Sequence, residues 1–241
     1  MIQTPWKLIW QDDFDQPQLD PTKWQVDEGY TGESNGEWEI YTTQPENLSI
    51  KNGCLVITAR KEEYDGFHFT SARVKTGGLH AWTYGRFEAR IKIPRGPGLW
   101  PAFWMLGEDI SSIGWPECGE IDIMEALGER PEMARGTLHG PGYARDESIG
   151  KDFILPGIPF ADDFHCFSVE WEPDRIHFFV DTTCYNTLTV NDIPGRWVFD
   201  HPFFILLNVA VGGLWPGYPD ETTRFPQSMY IDYVRVYEKN A

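Results

Sequence analysis

The sequence contains no long apolar run. Nothing approaches the ~18 consecutive apolar residues of a membrane-spanning helix, so no membrane partner is expected. The first residues, MIQTPWKLIWQDDFDQP, lack the charged start and apolar stretch of a signal peptide. Basic residues are scarce: 20 Lys plus Arg stand against 37 Asp plus Glu, a net charge of −17. Such a chain repels phosphate backbones and anionic membranes, so nucleic acid is not an expected partner. There are 4 Cys, at 54, 118, 166 and 184, and none forms a CxxC pair. A cysteine zinc site is not expected, and neither HExxH nor a Walker sequence occurs. Most of these cysteines are expected to be buried free thiols. No segment reads as an amphipathic helix of three turns. No linker, repeat or low-complexity tract marks a boundary, so residues 1–241 read as one domain.

What remains is a chain of short alternating stretches broken by 23 Gly and 18 Pro. In RFEARIKIP (Arg86 to Pro94), Phe87, Ala89, Ile91 and Ile93 take one face and charged residues the other, as in a half-buried strand. Asp163 to Asp181 reads as two strands joined at Glu172-Pro173-Asp174-Arg175, a hairpin signal. Cys54 to Arg60, Phe67 to Lys75, Phe203 to Val211 and Ser228 to Glu238 are further strands. Many short strands in 241 residues predict an all-β fold, a jelly-roll sandwich of two antiparallel sheets. The 11 Trp are an excess. They suit either a Trp-rich core or a cleft that stacks flat apolar ligand faces.

The most informative stretch is GWPECGEIDIMEALG (Gly114 to Gly128). On a strand, Glu120 and Asp122 share one face while Ile121 and Ile123 take the core face. Glu125 has the wrong parity, and one β-bulge near Ile123 or Met124 would bring it onto the acid face. Three crowded acids can be a solvated acidic strand, a row of ligands for a hard cation, or a catalytic carboxyl pair with a helper. Glycoside hydrolysis needs one carboxylate and one carboxylic acid about the scissile bond, about 5–5.5 Å apart in a retaining enzyme. Asp122 between them would help split their pKa values.

The spacing Glu-x-Asp-x-x-Glu resembles the signature of glycoside hydrolase family 16. Trp82 to Gly107 (WTYGRFEARIKIPRGPGLWPAFWMLG), TSARVK at 70–75, GTLH at 136–139, Phe164 to Asp181 and IDYVRVY at 231–237 resemble family segments in the family's order. The likeness runs from WQDDF at 10–14 to the last strand. It implies a jelly roll with a concave substrate cleft and a retaining mechanism. Glu120 would be nucleophile, Glu125 general acid/base and Asp122 the assisting acid. The inserted residue in the signature is typical of the laminarinase-like branch.

Sugar clefts are lined by aromatic rings, with polar groups reading hydroxyls. Strand parity puts Trp100 and Trp104 on one face and Phe103 and Met105 on the other. The resemblance turns the tryptophans to the cleft, and Trp171 is left to the core. Trp115 and the loop residue Trp215 are further platform candidates. The resemblance sets His139 beside the acid/base. Asn35, Arg73 and Asn208 are candidate readers of sugar hydroxyls. The resemblance also implies a structural Ca²⁺ on the convex face, held by the Asp232 side chain and backbone oxygens near the chain start, at Asp13 and Gly53. Asn47-Leu48-Ser49 is a glycosylation sequon.

These readings converge on a retaining endo-β-1,3-glucanase that needs no organic cofactor and binds a β-glucan as a monomer. The rivals keep the same fold: an enzyme for mixed-linkage β-glucan or another polysaccharide, or a non-catalytic β-glucan-binding module. Substrates of such a family lie outside the cell. The expected location is therefore secreted, periplasmic or cell-surface, with Met1 marking a trimmed mature domain.

Overall fold

The computed structural model describes residues 6–32 and 34–240. Its strands, in chain order, are β1 (Trp6–Asp12), β2 (Gln25–Asp27), β3 (Glu39–Tyr41), β4 (Leu48–Lys51), β5 (Cys54–Tyr64), β6 (Phe67–Ser71), β7 (Arg73–Lys75), β8 (Gly85–Lys92), β9 (Leu99–Gly107), β10 (Glu120–Glu125), β11 (Met133–His139), β12 (Ile149–Ile154), β13 (His165–Glu172), β14 (Arg175–Val180), β15 (Thr183–Thr189), β16 (Phe203–Val211) and β17 (Gln227–Lys239). One sheet runs β12-β11-β10-β9-β16-β7-β2, and the other β15-β14-β13-β8-β17-β5-β6-β3 with β1 on β17 and β4 on β5. Neighbours are antiparallel except β3 and β6, which pair in parallel. Among the described residues the only α-helix is the single turn Ile110–Ile113. No helix is long and apolar enough to cross a membrane.

The alternation in the sequence is the reason the sheets pack. Phe87, Ala89 and Ile91 of β8 and Phe103 and Met105 of β9 are all fully buried in one apolar cluster fed by both sheets. Trp171 joins it, 1 % exposed, as expected of a core tryptophan. The Pro173-Asp174 hairpin forms as read, with Glu172 opposite Arg175. Two expectations are corrected here. Phe67 to Lys75 is not one strand: the chain leaves one sheet at Ser71 and enters the other at Arg73, with Ala72 fully buried at the crossing. The sequon Asn47 is fully buried, so it is not an acceptor for glycan. Its amide binds the Thr58 carbonyl and Thr70 Oγ1, both at 2.9 Å, while Thr42 Oγ1 donates to its Oδ1 at 2.6 Å.

The cysteines are all free thiols, but only Cys54 and Cys118 are buried. Cys166 is half-buried and Cys184 exposed, so "mostly buried" overstates the case.

Candidate active site

The acids stand on β10, in the middle of the seven-stranded sheet. Against β11, Asp122 faces Thr137 and Glu125 faces Arg135; against β9, Asp122 faces Trp104 and Met124 faces Phe103. Three residues of β10 therefore match two of β11, a bulge with one extra residue. The bulge restores the parity of Glu125. Ile121, Ile123 and Met124 all turn into the core, at most 1 % exposed, while the three acids share the opposite face. Gly119, with φ 72°, fixes the entry to the strand: a Cβ there would lie 2.9 Å from both Phe203 and Val198.

Each glutamate has its own indole donor. Trp115 Nε1 donates to Glu120 Oε2 at 2.7 Å, and Trp100 Nε1 to Glu125 Oε1 at 2.9 Å. Asp122 lies between them, 2 % exposed, and its carboxyl hydrogen-bonds that of Glu120. His139 Nε2 approaches Asp122 Oδ2 at 3.1 Å but off the direction of a hydrogen bond, so Oδ2 keeps no partner. The Arg145 backbone N–H donates to His139 Nδ1 at 3.1 Å, which leaves the ring hydrogen on Nε2.

Burial raises all three acids. Glu125 is pushed up to about 7. Glu120 is pushed up to about 8 by burial and then by a charged Asp122. Asp122 is held well above the ordinary range by burial and by the charge of Glu125. A bonded carboxyl pair keeps one proton between them. Trp115 stabilises an anion on Glu120, whereas Asp122 Oδ2 has nothing. The contact of the two carboxyls raises Glu120 and lowers Asp122, while the Trp115 donor lowers Glu120, so they hold one proton as a pair.

Glu120, Asp122 and His139 also form the one grouping of three among the described residues whose atoms could surround a metal. The tautomer argues against that use, because Nε2 carries the hydrogen and has no free lone pair.

The other candidate residues divide. Trp104 stands beside Asp122 in the register and donates from Nε1 to Asn208 Oδ1 at 2.8 Å. Asn208 Nδ2 donates to Tyr41 Oη at 3.1 Å, so this amide, 7 % exposed, orients Trp104 with one donor and one lone pair and keeps a second N–H. Arg73, register partner of Asn208, binds Asp27 Oδ2 through Nε at 2.7 Å and stacks 5.0 Å over the Tyr41 ring. Asn35 Nδ2 binds Glu37 Oε1 at 2.9 Å. Trp215, 40 % exposed, sets its edge against Trp100 at 5.4 Å.

Of the residues expected at the calcium site, Asp232 supplies the one side chain, and its carboxylate pairs with Arg90 at 2.8 Å. Asp13, expected to offer its backbone oxygen, pairs its side chain with Arg235 at 2.8 Å. Gly53 lies in the turn between β4 and β5.

Two site residues escaped the sequence reading. Arg135, cross-strand from Glu125, lowers the pKa of Glu125 and Asp122. It shares parity with Thr137 and His139 in MARGTLH and was readable from that alternation. Tyr41 was not, since 167 residues separate it from Asn208.

Comparison with known proteins agrees with this geometry. The family model "Glycosyl hydrolases family 16" matches residues 35–235. The chain is 42% identical to a beta-glucanase of Rhodothermus marinus, over 96% of this chain and 85% of that protein. The laminarinase catalytic domain of Thermotoga maritima MSB8 superposes with a TM-score of 0.94 at 50% identity, covering 98% of this chain and 99% of that one. An endo-β-1,3-glucanase of Pyrococcus furiosus gives 0.93 at 47% identity, covering 98% and 95%. With two glutamates and a buried aspartate on one bulged strand, the chain belongs to glycosyl hydrolase family 16 and is a glycoside hydrolase.

Proposed function

We propose that the protein is an endo-acting β-1,3-glucanase that cleaves laminarin-type glucans with retention of configuration. Glu120, ionised and steadied by Trp115, attacks the anomeric carbon. Glu125, protonated below about 7, delivers its proton to the leaving glycosidic oxygen. A glycosyl-enzyme forms on Glu120. Glu125, now a base, takes a proton from water as the water attacks and frees Glu120. Asp122 shares a proton with Glu120 and holds its carboxylate in place. Trp100, Trp104, Trp115 and Trp215 offer faces to the sugar rings. His139 sits beside Asp122 on the leaving-group side, and Arg73 and Asn35 read hydroxyls.

The observation that carries this reading is the bulge in β10, which gives two glutamates one face and separate indole donors. The glucan linkage is supported by the names of the Thermotoga and Pyrococcus relatives. No organic cofactor enters this chemistry, and the reading includes no calcium because the one side-chain ligand, Asp232, is paired with Arg90. Residues 1–241 act as one catalytic domain, a monomer working outside the cell, where such polymers lie.

The test is a panel of laminarin, lichenan, agarose, carrageenan and xyloglucan. The products are identified and the first anomer formed is followed by NMR. Laminarin should yield β-anomers first. Untouched laminarin beside a cleaved second polymer would overturn the substrate, and α-anomers first would overturn the mechanism.

A further inference from the structure

Arg145 makes three contacts that tie separate parts of the site together. Its backbone N–H donates to His139 Nδ1 at 3.1 Å. Its guanidinium lies 5.4 Å over the Trp115 ring, the indole that donates to Glu120. Its Nη1 donates to the Ser34 carbonyl at 3.1 Å, across 111 residues of sequence. The residue holds φ 55°, a conformation that costs a side-chain-bearing residue energy and persists only where contacts repay it.

The two ends of the Arg145–Ser34 bond have different anchors. Arg145 follows β11, whose end His139 is paired with Glu120. Ser34 lies in the connection between β2 and β3, which is tied to the other end of the strands. Leu214 N donates to Asn35 O at 2.8 Å, and Trp38 N to Val211 O at 2.7 Å. Val211 pairs with Leu99, beside the Glu125 end of β10, where Ala126 N donates to Pro101 O at 3.2 Å. The bond thus joins loops rooted at opposite ends of the sheet, and it crosses the face that carries the acids.

We propose that Arg145 is a clasp that closes the cleft over the acids, and that a glucan polymer entering from the side must break its bond to Ser34. Once released, the guanidinium meets sugar hydroxyls as acceptors in place of the Ser34 carbonyl. A short oligosaccharide can slide in beneath the clasp, and the interior of a long chain cannot. The clasp therefore sets how this enzyme ranks polymer against oligomer. This inference rests on the glucanase reading.

The test compares wild type with Arg145→Asn. Asparagine tolerates positive φ and keeps the N–H bond to His139, but it is too short to reach Ser34. In the variant, kcat/KM on laminarin relative to a β-1,3-linked tetrasaccharide should rise about fivefold, the population effect of one net hydrogen bond. Amide exchange in the connection between β2 and β3 should quicken. Arg145→Lys, which keeps a cation, should fall between the two. An equal change on both substrates would reduce Arg145 to a support for Trp115 and overturn the clasp. Unchanged exchange around Ser34 would overturn it too, whatever the activity. Wild type inactive on laminarin would instead refute the substrate, and the exchange measurement would still decide the clasp.

Discussion

Strands β8 and β10 both alternate charged and apolar residues, and they put their charged faces to opposite uses. In β8, Phe87, Ala89 and Ile91 fill the core while Arg86, Glu88 and Arg90 face out. There each acid finds a base. Arg86 reaches Glu88 at 2.7 Å and Glu170 at 2.9 Å, and Arg90 reaches Asp232 at 2.8 Å. In β10, Ile121 and Ile123 do the same core work, but EIDIME contains no base. Its acids are buried beside one another with indole N–H groups, an imidazole and one cross-strand cation, Arg135, for company. Their pKa values rise, and protons stay on groups that would lose them in water. The comparison teaches that a strand of acids becomes a reactive site when the bulge makes the acids share a buried face and no cation forms a close ion pair with each of them.

Breaking the reactive strand should have the largest effect. Glu120→Ser removes the nucleophile and should lower turnover on laminarin by about a thousandfold or more, with circular dichroism unchanged. Residual activity well above that level would sink the role of Glu120.

A smaller effect concerns stability. The folded chain holds the Glu125 proton up to about 7, whereas the unfolded chain releases it near 4.5. Between those values the folded state binds more protons, so this group's contribution to stability falls as pH rises. Glu125→Gln keeps an acceptor for Trp100 and removes the titration. Its Tm relative to wild type should therefore climb from pH 4.5 to beyond pH 7. A difference that stays flat with pH would show that Glu125 is not a strained acid.

The smallest effect is expected on β8. Glu88→Gln should cost about 1–3 kcal/mol in denaturant unfolding, since the part-buried bond from Arg86 loses its charge while Arg86 keeps Glu170 and Tyr233 keeps an acceptor. Turnover should not change. A large loss of activity would mean that the two strands are not functionally separate.

Much of this was legible in the sequence because strand parity is local. The core faces of β8 and β9, the Pro173-Asp174 hairpin and the need for a bulge before Glu125 all follow from a period of two. The misreadings have a common cause. Ala72, where the chain crosses between sheets, looks like any strand residue. Asn47 looks like an acceptor for glycan until Thr42, Thr58 and Thr70 take its amide and bury it. Asp232 looks like an ion ligand until the fold brings Arg90 to its carboxylate. Asn208 reads as a sugar contact, and the fold adds a second role, since Tyr41 and Trp104 bind its amide.

The missing apolar runs, the few bases and the alternation determined the class of fold and the identity of the three acids. Those properties depend on neighbours a few residues apart. The tertiary structure decided which acids share a proton, which tautomer His139 adopts and which loops meet over the site. Those depend on donors and acceptors that approach from distant parts of the chain. One hydrogen bond from Trp115, or its absence at Asp122, biases the charge state of a group whose identity the sequence already carried.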